Sequence, residues 1–142
     1  MCVIAVKPSG QRINWKHLRN CFDSNPDGAG FAFHSDDGVY ITKGYMDFES
    51  FKRAVEAVGI GKKHEAMFHF RIATHGVVDE TNCHPFPLSA DESSLKALDV
   101  VSSIAVMHNG VIFGLPKSNE FSDTMLYIRD YLAPLGTEIL NP

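Results

Sequence analysis

No apolar stretch in the 142 residues approaches the ~20 needed to cross a bilayer. The opening MCVIAVKPSG is apolar for only five residues after Met1 and has no basic leader or small-residue cleavage site, so no signal peptide is expected. Cysteine is scarce, with Cys2, Cys21 and Cys83 far apart and odd in number, which argues against a disulfide framework and a zinc knuckle. A reducing cytoplasm is the expected setting. There is no basic excess: 13 Lys and Arg stand against 17 Asp and Glu, a net charge of -4, which gives nucleic-acid binding no electrostatic support. Repeats, low-complexity tracts and linkers are missing too, so a single domain over 1–142 is expected.

Present in quantity are ten Phe and four Tyr, bulky material for a core. Residues 2–6 read as a buried strand, and Asn14 as the cap of a helix over 15–22. Residues 25–28, Asn-Pro-Asp-Gly, form a turn before a hairpin of 30–34 and 39–43. A second helix spans 47–58, and a strand over 66–72 carries Arg71 to its end. Residues 73–90 show little periodicity, and long loops in compact domains are often functional. A helical turn is predicted for 93–99. Strands 104–108 and 111–113 flank Asn109-Gly110, the strongest short hairpin signal. Ser122 caps a last helix over 123–132. Strands and helices do not alternate strictly, which favours α+β with antiparallel sheet.

Several residues carry chemistry on their own terms. A free thiol titrates near ~8.5 and an α-amine near ~7.7–8.0, so a terminal cysteine supplies nucleophile and base together. Cys2 can do this only after Met1 is removed; otherwise it is a small apolar residue on a first strand. Arg71 has the planar fork that grips a carboxylate, or it is a strand-end partner in a surface ion pair. Asn109-Gly110 is either a donor pair or a plain turn. Asp123 is either an amine's counter-charge or a first-turn acid favoured by the helix dipole. Gly28 and Gly30 suit a close backbone approach, and no Lys-Ser/Thr follows them as a P-loop requires. Seven histidines raise the question of metal, but their spacing fits no zinc signature, and no metal is expected.

Taken in order, Met1-Cys2, NPDGAGFAF (25–33), HFRIATHG (69–76), NCHPFPL (82–88), HNG (108–110) and SDT (122–124) resemble the class II glutamine amidotransferases. The likeness runs from residue 2 to about 127 and is closest in kind to short stand-alone bacterial or phage-type members. It implies an N-terminal-nucleophile hydrolase fold, an αββα sandwich of antiparallel sheets. Cys2 would be the nucleophile. The Asn109 side chain and the Gly110 N–H would hold the oxyanion. Arg71 and Asp123 would bind the carboxylate and amine of glutamine, and Thr74, His75 and Gly76 would line the substrate. His84 and Gly30 would shape the pocket. No cofactor is implied.

The sequence departs from the family at three points. Ile72 stands where an aromatic residue is usual, Met125 where an acidic one is usual, and the chain ends at Pro142, where family members continue with further strands. A compact or C-terminally incomplete sandwich is therefore expected. With no synthase domain following, any ammonia acceptor is expected on a separate chain. Two alternatives stay open: an amidohydrolase of another γ-glutamyl-type amide, and a non-catalytic glutamine-binding module. Neither a nucleic acid nor a membrane is an expected partner, and the oligomeric state is not legible.

Overall fold

The computed structural model describes residues 1–73 and 77–141. Its main element is a five-stranded sheet in the order β1-β4-β2-β3-β6, with every neighbouring pair antiparallel. The strands are β1 (Val3–Lys7), β2 (Ala29–Ser35), β3 (Gly38–Tyr45), β4 (Ala66–Phe70) and β6 (Asp99–Ser102). A second, two-stranded sheet pairs β5 (Phe86–Pro87) with β7 (Ala105–Val106). The chain is thus α+β with antiparallel sheets, as the element pattern predicts. Among the described residues no helix is long and apolar enough to cross a membrane.

Side chains alternate across a strand, so β4 divides its residues between two environments. Phe68 and Phe70 face one side with Val3 and Ala5 of β1 and Ala29 and Phe31 of β2, opposite which they pair. Two helices cover that side. In α1 (Trp15–Ser24), Asn14 accepts the His17 N–H as N-cap, and Leu18, Cys21 and Phe22 are buried. In α2 (Phe48–Ala57), Asp47 accepts the Ser50 N–H, and Phe48, Phe51 and Val55 are buried. Phe51 lies 5.3 to 6.1 Å, ring centre to ring centre, from Phe31, Tyr45, Phe48, Phe68 and Phe70. The apolar spacing of both helices and the caps before them dictate this layer.

A smaller cluster of Phe86, Leu95, Met125 and Ile128 joins the two-stranded sheet to α3 (Glu92–Lys96) and α4 (Asp123–Tyr127). α4 starts at the Ser122 cap and runs into a π-helical turn, Ile128–Leu132, and a 3₁₀ segment, Ala133–Leu140, kinked at Gly136.

Two expectations are corrected. The helical turn over 93–99 ends earlier, and Asp99 begins β6, an edge strand pairing with β3. The hairpin over 104–113 does not form: β7 pairs with β5, and 111–113 is not a strand. Apolar runs flanking Asn-Gly signal a hairpin only when the second run has a face to bury, and Phe113 is 88% exposed.

Phe51, fully buried at the centre of the aromatic cluster, sets the first prediction. Phe51→Ala lowers unfolding free energy by about 3–5 kcal/mol in urea titration, whereas Phe113→Ala changes it by less than about 0.5 kcal/mol.

Candidate active site

Cys2 directly precedes β1. Val3 pairs with Phe70, so the antiparallel register carries Cys2 to the level of Arg71. Its thiol Sγ lies 3.4 Å from the Ile72 nitrogen and 3.5 Å from the Ile72 carbonyl oxygen. The thiol is free and half-buried, while Met1 is 93% exposed.

The backbone just past β4 is fixed from the other side by the 25–28 turn. The Arg71 N–H donates to the Gly28 carbonyl at 2.8 Å, and the Asp27 N–H donates to the Arg71 carbonyl at 3.0 Å. The Asp27 carboxylate accepts the Ala73 N–H at 2.8 Å. Arg71 itself is buried, with Nη1 donating to the Val77 carbonyl at 3.1 Å. Asp79 stays ionised nearby. Burial pushes its carboxyl up, but hydrogen bonds from Asn82 and Thr81 and the Arg71 charge outweigh that and hold it below the ordinary range. Thr74, His75 and Gly76 lie outside the described residues.

Asn109 and Gly110 are exposed in a loop rather than a hairpin, with Gly110 at φ +117°. Both ends of this loop are tied down. The His108 carbonyl lies 3.3 Å from Nε2 of His69 on β4, and His108 Nδ1 lies 3.5 Å from the Thr124 hydroxyl. The Asp123 carboxylate accepts the Ile112 and Thr124 N–H groups, each at 2.7 Å. Among the described residues no hydrogen bond joins Cys2 to Asn109, Gly110 or Asp123. The structure therefore presents two assemblies: Cys2 with Asp27 and the 71–73 backbone, and Asn109-Gly110 with Asp123 and His69. β4 is common to both.

Behind them lies a buried polar layer on the face of β4 away from the aromatic core. Gly30 pairs with His69, and a Cβ at Gly30 would meet the His84 carbonyl oxygen at 2.2 Å. A Cβ at Gly28 would meet the Cys83 Sγ at 2.4 Å. These glycines let residues 83 and 84 lie directly on the sheet, so the His84 ring stacks on His69 with centres 4.3 Å apart. Burial lowers the His69 pKa to about 4 and drives that of His84 well below the ordinary value. Lys43 is buried alongside, donating to the Thr81 and Leu95 carbonyls over the Phe86 ring, and burial lowers its pKa to about 7. Among the described residues no group of three or more His, Cys, Asp or Glu could hold a metal ion.

Asp27 and His69 are the residues that sequence reading passed over as parts of the site. Asp27 reads as a turn residue, and His69 entered only within the HFRIATHG motif and among the seven histidines. Its position two residues before Arg71, on the same face of a strand, was the available signal. Met125, noted as a departure, is fully buried in the smaller apolar cluster, so packing accounts for it.

Fold and site together define an antiparallel α+β protein with a cysteine thiol seated beside a buried arginine and an Asn-Gly loop tied to the same strand. Sequence comparison finds it similar to glutamine–fructose-6-phosphate aminotransferase (isomerizing) of Thermotoga maritima, 32% identical over 115 residues, 80% of this chain and 16% of that protein. The enzyme of the same name from Oceanobacillus iheyensis is 27% identical over 119 residues, again 80% and 16%. The chain thus spans about a sixth of the length of the curated relatives it matches. No protein-family model matches the chain, and no solved structure does.

The neutral histidines make stability depend on acid. Both have folded pKa values below the ordinary ~6.5, so the unfolded chain binds more protons as pH falls below that value. The histidines' contribution is fully present above pH ~6.5 and is lost on acidification, for His69 down to its folded pKa of about 4. Unfolding free energy by urea titration is expected to be about 3 kcal/mol lower at pH 5.5 than at pH 7.5. His84→Phe removes about half of that difference.

Proposed function

We propose that this chain hydrolyses the side-chain amide of glutamine through a Cys2 γ-glutamyl thioester, as an N-terminal-nucleophile amidohydrolase. The carrying observation is the Cys2 thiol, held against the backbone of Ile72 immediately after the buried Arg71. The likeness to two glutamine-named aminotransferases supports the choice of substrate. In this reading the five-stranded sheet is one layer of an αββα sandwich. α1 and α2 form its outer helical layer, and the β5-β7 sheet with α3 and α4 stands for the other two.

Removal of Met1 frees the Cys2 α-amine, which takes the thiol proton as Sγ attacks the amide carbon. The oxyanion is held by the Asn109 side-chain NH₂ and the Gly110 N–H. The C–N bond then breaks, and the amine returns its proton to the departing ammonia. Water attacks the thioester, giving one proton to the α-amine, glutamate leaves, and that proton restores the thiol. Arg71 uses one of five N–H donors on Val77, which leaves others for the substrate α-carboxylate. Asp123 retains acceptor capacity beside its two backbone bonds and takes the α-amine. Thr74, His75 and Gly76 line the substrate, and His84 and Gly30 form the wall behind it. Asp27 positions residues 71–73. Ammonia is either released or passed to an acceptor on a separate chain.

The test is intact mass before and after 6-diazo-5-oxo-norleucine, an electrophilic glutamine analogue. The expected result is loss of one Met and a single adduct on Cys2, absent in Cys2→Ala. Processed protein that forms no adduct and hydrolyses a different γ-glutamyl amide moves the reading to that substrate. Retained Met1 with an inert Cys2 rejects catalysis and leaves a binding module. In the active protein, Arg71→Lys raises KM for glutamine about 10- to 100-fold, since it replaces a bidentate grip by a point charge.

A further inference from the structure

We propose that His69 is a positioning residue: its Nε2–H holds the Asn109-Gly110 loop on β4 through the His108 carbonyl, and His84 is the stacked support that fixes its ring. The catalytic consequence rests on the functional reading above; the anchoring does not.

A carbonyl only accepts, so the His69 nitrogen facing it at 3.3 Å must carry the proton. A neutral imidazole has one N–H, which leaves Nδ1 bare. That agrees with Nδ1, which is buried with no hydrogen-bond partner among the described residues. A second proton would put an unpartnered donor and a charge in a layer that already holds Arg71 and Lys43. The ring is therefore neutral and in one tautomer. His84 adds no hydrogen bond: neither of its buried ring nitrogens has a partner among the described residues. Its contribution is its face, stacked on His69 and backed by Phe86 with ring centres 4.7 Å apart.

The loop needs this anchor because it has no secondary structure of its own. Residues 108–112 are the first part of the connection from β7 to α4, which runs over 107–122. At the far end Asp123 holds Ile112, and at the near end His69 holds His108. The two oxyanion donors lie between these pins. Displacing such donors by about 1 Å can cost around 100-fold in rate without touching the binding of substrate.

Histidine-ring nitrogen NMR of the full chain, grown with isotope-labelled histidine, tests the anchor directly. The His69 signal is assigned by its absence in His69→Gln. The expected state is the Nε2–H tautomer, unchanged from pH 8 to pH 5.5. The Nδ1–H tautomer, or protonation within that range, overturns the proposal. Kinetics tests the consequence. His69→Phe keeps the stacking ring and removes the N–H, and should lower kcat for glutamine about 100-fold with KM within about twofold. His69→Gln restores a donor near the same point and should recover most of kcat. A His69→Phe protein with kcat within about twofold of the parent also overturns it. An inactive parent with the Nε2–H tautomer leaves the anchor standing and removes the functional reading instead.

Discussion

The pleat of β4 is the constraint on which the rest of the molecule depends. This strand is hydrogen-bonded on both sides, to β1 and to β2, and has no freedom to slide. Alternation then sends Phe68 and Phe70 into the aromatic layer and His69 and Arg71 to the opposite face. Each aromatic residue buried there contributes on the order of 1.5–3 kcal/mol of transfer free energy. A one-residue slip would exchange the two sets, placing a guanidinium among phenyl rings. The cost of that exchange locks the site residues in place, so the core dictates where the chemistry can be.

The opposite face would be too crowded for a second segment if β2 carried ordinary side chains. Gly30 and Gly28 remove the obstruction, and residues 82–86 descend onto the sheet. That approach buries polar groups, each of which needs an answer. Lys43 finds two carbonyls and a ring face, Asn82 finds Asp79, and His69 finds the His108 carbonyl. His84 has no such partner among the described residues and stays uncharged, which burial makes the cheaper state. A neutral imidazole stack is a stiff support that adds no charge beside Arg71.

Local features were the legible part of the sequence. Asn14 and Ser122 announce their helices because a cap is a contact over three residues. The β2–β3 hairpin was legible, and so was the strand before Arg71, read as 66–72 and observed as Ala66–Phe70. What was not legible is pairing at a distance. Residues 104–106 look as if they should meet 111–113 across Asn-Gly, yet β7 finds β5 because Phe86 offers a buried neighbour and Phe113 does not. Asp27 was hidden for the same reason. An aspartate in Asn-Pro-Asp-Gly reads as a turn residue, and nothing nearby in the sequence shows that its acceptor is spent on Ala73.

The position of Cys2 is decided at the other end of its own strand. β1 is an edge strand of five residues, held along one side only, and such strands are the ones that slip. One step would turn Cys2 from the Arg71 level to the Phe70 level and onto the aromatic face. Lys7 opposes that slip. It is 5% exposed, and its ammonium donates to the carbonyls of Pro8, Lys62 and His64, a cage fixed by the loop before β4. A one-residue slip would turn Lys7 to the face where Val6 and Met67 are exposed and would give up all three of these contacts. Ala5, between the two ends, is buried in the aromatic layer. The thiol is thus set by a cation five positions away. Lys7 is a structural residue whose role is carried along β1 to the site.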